Sequence, residues 1–313
     1  VIVGDSHLRN WADAWLNGVR KLRLVDLDDN GRGPFLFDIV KFVAVTRSQR
    51  LGLKAYELFE MYHLGLREEK KDKPDFLEEA LDQSKKSKKK DVEDFLKKMT
   101  DGDSIVFGEK TDLYPIEDGQ PEIYEMYQKA KLSFKLALKD YTILEKAVRL
   151  KKTGGTRRPR FWYLVEDNKG KKQLIEFKQV GDSALSAFAP QADFISRMNE
   201  AMDTYWKGER DPNYLAIQVG QQNYIMRPGY KGFIDFTDLK SEEKKQEARQ
   251  MLLHIAYHMG RMVARQNSAA LYIEAINDNP DLTSKLVNDF ASQYLQKITG
   301  HWATSTRVIK NPR

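Results

Sequence analysis

Apolar and polar positions divide the chain into a mixed front part, a middle with period-two patterning and a helical end. Val1-Ile2-Val3 is apolar and β-branched and stops at Gly4, which predicts a short strand. Leu22 to Leu27 alternates as a strand does, with Leu22, Leu24 and Asp26 on one face. The turn chemistry of Asn30-Gly31-Arg32-Gly33-Pro34 follows. Phe35 to Val45 is apolar nearly all round, the mark of a buried helix. Residues 54–101 read as charged helix broken at Pro74. Residues 121–147 read as another helix, with Ile123, Tyr127, Ala130 and Phe134 at helical spacing.

Beyond residue 148 the period changes. Arg149 to Lys152, Arg160 to Glu166 and Gln173 to Val180 predict successive antiparallel strands, separated by Thr153-Gly154-Gly155-Thr156 and Asp167-Asn168-Lys169-Gly170. A helix is expected over 190–207, with Ile195, Met198, Met202 and Tyr205 on one side. Strands follow at Tyr214 to Val219 and Asn223 to Arg227, then helices over 241–268 and 281–298. The pattern predicts an α+β fold of two lobes. Residues 1–147 begin a helical lobe with a charged insertion at 54–130, residues 148–235 form a small antiparallel sheet lobe with one helix, and residues 236–313 complete the helical lobe.

Composition narrows the classes. A length of 313 residues allows one large or two-lobed unit with ample core material. No apolar run is long enough to cross a bilayer. The chain opens on Val1 in an apolar stretch, which suggests residues upstream. The lack of cysteine excludes disulfides, thiol nucleophiles and thiolate metal sites, and it fits a cytoplasmic setting. The net charge of +6 invites a nucleic-acid reading, but 46 acidic residues are mixed among the basic ones, so that reading ranks low. The run Lys85-Lys86-Ser87-Lys88-Lys89-Lys90 is simplest as a solvated face or loop.

The candidate chemistry lies at the front. Asp5 and Asn10 stand five residues apart on the loop leaving the first predicted strand, so one tight loop can present a carboxylate and an amide carbonyl to the same centre. Asp26 ends the next predicted strand, where it can meet Asn10, and Asp28 and Asp29 make the local charge dense. Such clustering is costly unless cations occupy it. The set suits a metal–phosphate site with Asn10, Asp26 and Asp28 as oxygen donors. Taken singly, each residue also reads as a turn former or helix cap. His7 either supports the loop or takes part in proton transfer, and support is favoured. His254 and His258 lack the acidic neighbour of a zinc motif and are expected to pack or line a groove.

These residues resemble a known pattern. Gly4-Asp5-x-His7-x-x-Asn10 resembles the catalytic loop of aminoglycoside phosphotransferase-like kinases. Asp26-Leu27-Asp28-Asp29 and Gly33-Pro34-Phe35-x-x-Asp38-Ile39 resemble their metal-binding aspartate and the buried helix after it. The nearest resemblance is to the bacterial family called domain of unknown function 2252. Ile175-Glu176-Phe177-Lys178, Asn223-Tyr224-Ile225-Met226-Arg227 and Gly260-Arg261-Met262-Val263-Ala264-Arg265 are similar to its later segments. The resemblance implies Asp5 as catalytic aspartate, Asn10, Asp26 and Asp28 as Mg²⁺ ligands, and Lys178, Gly154, Gly155 and Arg227 as contacts to ATP. Asp38 would bond the catalytic-loop backbone. Glu200 is a candidate partner for Lys178, whose plain alternative is an exposed strand lysine. For Arg227 the plain alternative is a surface charge on an edge strand.

In kinases the glycine turn, lysine strand and long helix precede the catalytic loop and metal aspartate. Here the last two come first, which implies a circularly permuted, protein-kinase-like fold. The glycine turn continues as Thr156-Arg157-Arg158-Pro159 rather than with another glycine. The expected activity is ATP- and Mg²⁺-dependent phosphoryl transfer to a small-molecule or protein hydroxyl. Nucleotidyl transfer to protein and nucleotide binding without catalysis stand as alternatives. The acceptor and the oligomeric state leave no readable mark.

Overall fold

The computed structural model describes residues 2–5, 10–16, 19–49, 51–69, 90, 92–118, 120–149, 158–206, 211, 213–229 and 241–310. The fold is mixed α+β with antiparallel sheets.

At the front, Ile2 makes a single antiparallel bridge to Gly31 in place of the strand expected from Val1 to Val3. The hairpin that follows is β1 (Trp11–Leu16) and β2 (Val19–Leu24). β1 was not expected, and β2 lies three residues ahead of the predicted strand, so Asp26 falls in the loop beyond it. Helix α1 (Phe37–Ser48) then buries Ile39, Phe42 and Val43, and α2 (Ala55–Leu66) buries Leu58, Phe59 and Tyr62. Residues 92–99 form α3. Pro74 and most of the lysine run lie outside the described residues. β3 (Thr100–Asp101), β4 (Ser104–Ile105) and β5 (Leu113–Tyr114) are short.

Helix α4 (Pro121–Ala137) opens on proline at its first turn, where the missing N–H costs no helical bond. It ends ten residues before the expected boundary at 147. Thr142–Arg149 is instead strand β6, because Leu138–Tyr141 turns the chain and Phe134 is the last buried residue of the helix. β7 (Arg160–Glu166), β8 (Lys172–Val180), α5 (Phe194–Trp206), β9 (Leu215–Val219) and β10 (Gln222–Pro228) follow the expected order. The helices α6 (Glu242–Val263), α7 (Ala269–Asp278) and α8 (Pro280–Lys310) complete the chain.

The main sheet has six strands in the order β5-β6-β7-β8-β10-β9, all antiparallel. It draws in β5 and β6, ahead of the lobe boundary expected at 148. Successive side chains alternate between its faces. Phe161, Tyr163, Phe177 and Tyr224 gather under α4, where the Phe134 ring stacks on Phe177 at 4.1 Å between centroids. On the other face Ala147, Trp162, Leu164 and Leu174 pack with Met99, Ile105 and Leu113. The same face turns charged further along. Register sets Arg160 opposite Lys178 and Arg227 opposite Glu176.

A separate core joins α1, α2, α5, α6 and α8 to the front hairpin. Within it α2 and α6 approach each other closely at two glycines. A methyl group on Gly65 would stand 1.9 Å from the Tyr257 carbonyl oxygen, and one on Gly260 would stand 1.9 Å from that of Tyr62. Leu252, Ala256, Met259 and Val263 are all buried along α6, on the predicted face.

Candidate functional site

The loop from Val25 to Gly31 is built as a platform for its carboxylates. Trp206 Nε1 donates to the Leu24 carbonyl at 2.9 Å, and the Tyr214 hydroxyl donates to that of Val25 at 3.4 Å. Arg197, buried on α5, donates to the Asp28 carbonyl at 2.7 Å and also to that of Asn30. The Ser183 hydroxyl donates to the Asp29 carbonyl at 2.8 Å. With its carbonyls held from α5 and from Ser183 and Tyr214, the loop turns Asp26 and Asp28 toward the sheet. Gly4 fits over this loop. Its φ of +77° is left-handed, and a Cβ would stand 2.3 Å from the Asp29 carbonyl oxygen, so only glycine suits the position.

The strand of the predicted lysine delivers its side chain here. Lys178 Nζ lies 2.9 Å from Asp26 Oδ1 and 2.7 Å from Asp28 Oδ2, with its side chain only 12% exposed. This overturns both the exposed-lysine alternative and Glu200 as its partner, since Glu200 is exposed on α5. Arg227 is not a surface charge on an edge strand. β10 is interior, the Arg227 side chain is 2% exposed, and its NH1 lies 3.4 Å from Asp26 Oδ1. Its Nε and NH2 donate to Glu176 Oε1 at 2.8 and 2.6 Å, and Arg160 NH1 lies 3.3 Å from both Glu176 oxygens. Three carboxylates and three cations thus form one continuous chain: Arg160, Glu176, Arg227, Asp26, Lys178, Asp28.

The electrostatics follow from burial. Burial pushes the Asp28 carboxyl up to about 6, and the neighbouring Asp26 carboxylate adds to the shift, while Lys178 opposes it. Burial alone would lower the Arg227 guanidinium, but Glu176 and Asp26 outweigh it and its pKa is raised. Lys178 supplies the positive charge that carboxylates held this close require.

Beside this chain stands the Asp5 group. Asn10 Nδ2 donates to the Asp5 carbonyl at 2.6 Å and to Asp5 Oδ2 at 3.3 Å, while the Asn10 carbonyl accepts from the Val25 amide at 2.8 Å. Asn10 therefore ties Asp5 to the residue adjoining Asp26. Lys41 Nζ lies 2.6 Å from Asp5 Oδ1 and donates to the Gly4 carbonyl at 2.9 Å. Asp38 accepts from the amides of Val3 at 2.6 Å and Gly4 at 2.9 Å, so it holds the backbone entering the Asp5 loop. Gly154, Gly155 and His7 lie outside the described residues. Arg158 lies against Gly181, with its guanidinium where a Cβ would stand. His254 and His258 pack as a pair, Nε2 to Nε2 at 2.9 Å.

Four contributors were not anticipated. Glu176 and Lys178 are two apart on one strand and so share a face, a signal the sequence carried. Lys41 stands one helical turn after Asp38, a weaker signal. Arg160 and Arg197 join only through register and packing.

Fold and site together define an α+β protein with a six-stranded antiparallel sheet facing a pinned acidic loop. The chain belongs to the bacterial family described as "Uncharacterized protein conserved in bacteria (DUF2252)", which matches residues 45–307. Glu176, Lys178 and Arg227 fall inside the match, whereas Asp5, Asn10, Asp26 and Asp28 precede it. No curated protein and no solved structure matches the chain. Among the described residues, no helix is long and apolar enough to cross a membrane.

Proposed function

We propose that this protein is a kinase-like phosphotransferase using ATP and Mg²⁺, with its catalytic and metal segments permuted to the front of the chain. One observation carries the reading: Lys178, on a central sheet strand, meets Asp26 and Asp28 from about 150 residues earlier. In protein kinases a lysine of the third strand contacts phosphate, a helix follows that strand, and an aspartate and an asparagine hold the metal. Here Lys178 lies on the third strand of the meander β6-β7-β8, α5 follows β8, and Asp26 lies beyond Val25, which Asn10 bonds.

The donor set fits Mg²⁺. Among the described residues no group of three or more His, Cys, Asp or Glu side chains is disposed to hold a metal, so an all-protein cage is not at issue. Mg²⁺ uses one or two carboxylates and completes its shell with phosphate oxygens and water. Asp26 and Asp28 supply the carboxylates. Asn10, whose amide nitrogen is engaged by Asp5, retains its amide oxygen. When bound, Mg²⁺ offsets the charge on the phosphates. Asp5 orients an acceptor hydroxyl and takes its proton at a carboxylate oxygen. Lys178 and Arg160 supply positive charge on the sheet face, and Asn10 and Lys41 hold Asp5 in place.

A second reading has one observation behind it. The Lys41 ion pair already satisfies an oxygen of Asp5, as suits a nucleotide-binding module without transfer. Thermal unfolding with ATP, with and without Mg²⁺, tests the shared part. ATP should raise the midpoint of the wild type only when Mg²⁺ is present, and Asp26→Asn should lose that response. A wild type indifferent to ATP under both conditions refutes the reading. The mass of any modified acceptor then separates phosphoryl transfer, nucleotidyl transfer and no transfer.

A further inference from the structure

The Asp26–Asp28 pair is bridged by a single ammonium, with Arg227 touching Asp26 from the side. Lys178 Nζ takes Asp26 Oδ1 at 2.9 Å and Asp28 Oδ2 at 2.7 Å, so a single ammonium spans both carboxylates. A divalent cation held by the same two carboxylates would stand close to the ammonium, where like charges repel strongly in a half-buried setting. One of the two cationic side chains must yield, and the structure distinguishes them. Arg227 is fixed: its side chain is 2% exposed, and Nε and NH2 both bond Glu176. Lys178 sits on a flexible four-carbon stem, and among the described residues its ion pairs are those to Asp26 and Asp28 themselves.

We infer that Lys178 and a divalent cation are alternative occupants of the Asp26–Asp28 pair, so that metal entry releases the Lys178 ammonium while Arg227 keeps Asp26 in place. This deepens the proposed function, and rests on it for the destination of the freed ammonium, the nucleotide phosphates. Lys178 is then both an internal competitor for the metal and a phosphate contact. Metal and nucleotide favour each other through it, because each takes one of its two positions.

Competition makes a prediction opposite in sign to that for a residue that merely supports the site. Mn²⁺ binding is measured on the full chain without nucleotide, by electron paramagnetic resonance of the free ion. Lys178→Met should bind Mn²⁺ about tenfold more tightly than the wild type, since the competing charge is gone and the stem remains. Asp26→Asn should bind it more weakly. Equal or weaker binding by Lys178→Met overturns the inference. Acylation footprinting of the wild type supplies a second readout that needs no variant. Labelling of Lys178 should rise with Mn²⁺, and unchanged labelling overturns the inference equally. Failure here leaves the proposed function standing if Mg²⁺ and ATP together still stabilise the wild type. If competition holds but ATP has no effect, the proposed function falls instead.

Discussion

Glu176 holds two guanidinium groups at once, the buried one of Arg227 and the half-buried one of Arg160, on a strand whose neighbours set Arg227 and Trp162 across from it. Its value lies in what it prevents. Without it, the buried Arg227 charge keeps, among the described residues, only the 3.4 Å contact to Asp26. Breaking a buried pair from one side costs about 3–5 kcal/mol. Glu176→Ala should therefore lower the unfolding free energy in urea by about that much, while Glu176→Gln, which keeps an acceptor, should cost less. A loss below about 1 kcal/mol for the alanine variant would show that Arg227 finds relief elsewhere. Asp38 makes a prediction of the other kind. Burial raises its carboxyl to about 6 from 3.8, against the Val3 and Gly4 amides and Lys41, which pull it down. Between about pH 4 and 6 the folded state keeps a proton that the unfolded chain has released. The contribution of Asp38 to stability is thus highest below that window and falls as pH rises through it, by about 3 kcal/mol. Urea denaturation at several pH values should show wild type losing stability relative to Asp38→Asn across the window. A constant difference would place the Asp38 pKa near its ordinary value.

At the scale of elements, α2 and α6 cross where two glycines leave out their side chains. A methyl group on Gly260 would lie 1.9 Å from the Tyr62 carbonyl oxygen and 2.7 Å from the Leu66 amide nitrogen, and helix backbone cannot step aside as a side chain can. Gly260→Ala should cost about 3 kcal/mol, read as a lower thermal midpoint, and an unchanged midpoint would mean that the helices part freely. That crossing was only half legible. The apolar face of α6 could be read from spacing, but not which helix it meets, because spacing carries no partner. Strand β6 was misread for a related reason. Tyr141 to Ala147 continues the apolar spacing of α4, and only the turn at Leu138–Tyr141, with Thr142 and Ile143 beyond it, breaks the helix. β1 was missed because Trp11-Ala12-Asp13-Ala14-Trp15-Leu16 contains no β-branched residue, and pairing with β2 supplies what propensity does not. Asp5, Asn10, Asp26, Lys178 and Arg227 were legible as a set from local motifs. Glu176, Arg160 and Arg197 required the register of the sheet and the packing of α5, which a linear reading cannot supply.

The whole molecule depends on a short segment near its front. Residues 24–31 insert between the sheet and α5, and Leu24 and Leu27 are fully buried there. Trp206, Tyr214, Ser183 and Arg197 all donate to carbonyls of this segment, and Lys178 and Arg227 reach its carboxylates. These donors belong to the stretch that matches the family, while their acceptors precede residue 45. Removing residues 1–31 would strand several buried donors and at least two cations, each costing about 1–3 kcal/mol or more. The loss is comparable to the whole stability of an ordinary domain, about 5–15 kcal/mol. A chain of residues 32–313 should therefore fail to show a cooperative urea transition by circular dichroism. If the acidic loop is a separable piece of one site, as the proposed permutation would have it, residues 1–31 added as a peptide should restore the transition. Alanine at Leu24 and Leu27 in that peptide should abolish the rescue through lost burial. Asp26→Asn and Asp28→Asn together should leave much of it, because the carbonyl bonds and buried leucines remain. A truncated chain as cooperative as the wild type would show that the loop lies on the fold rather than within it.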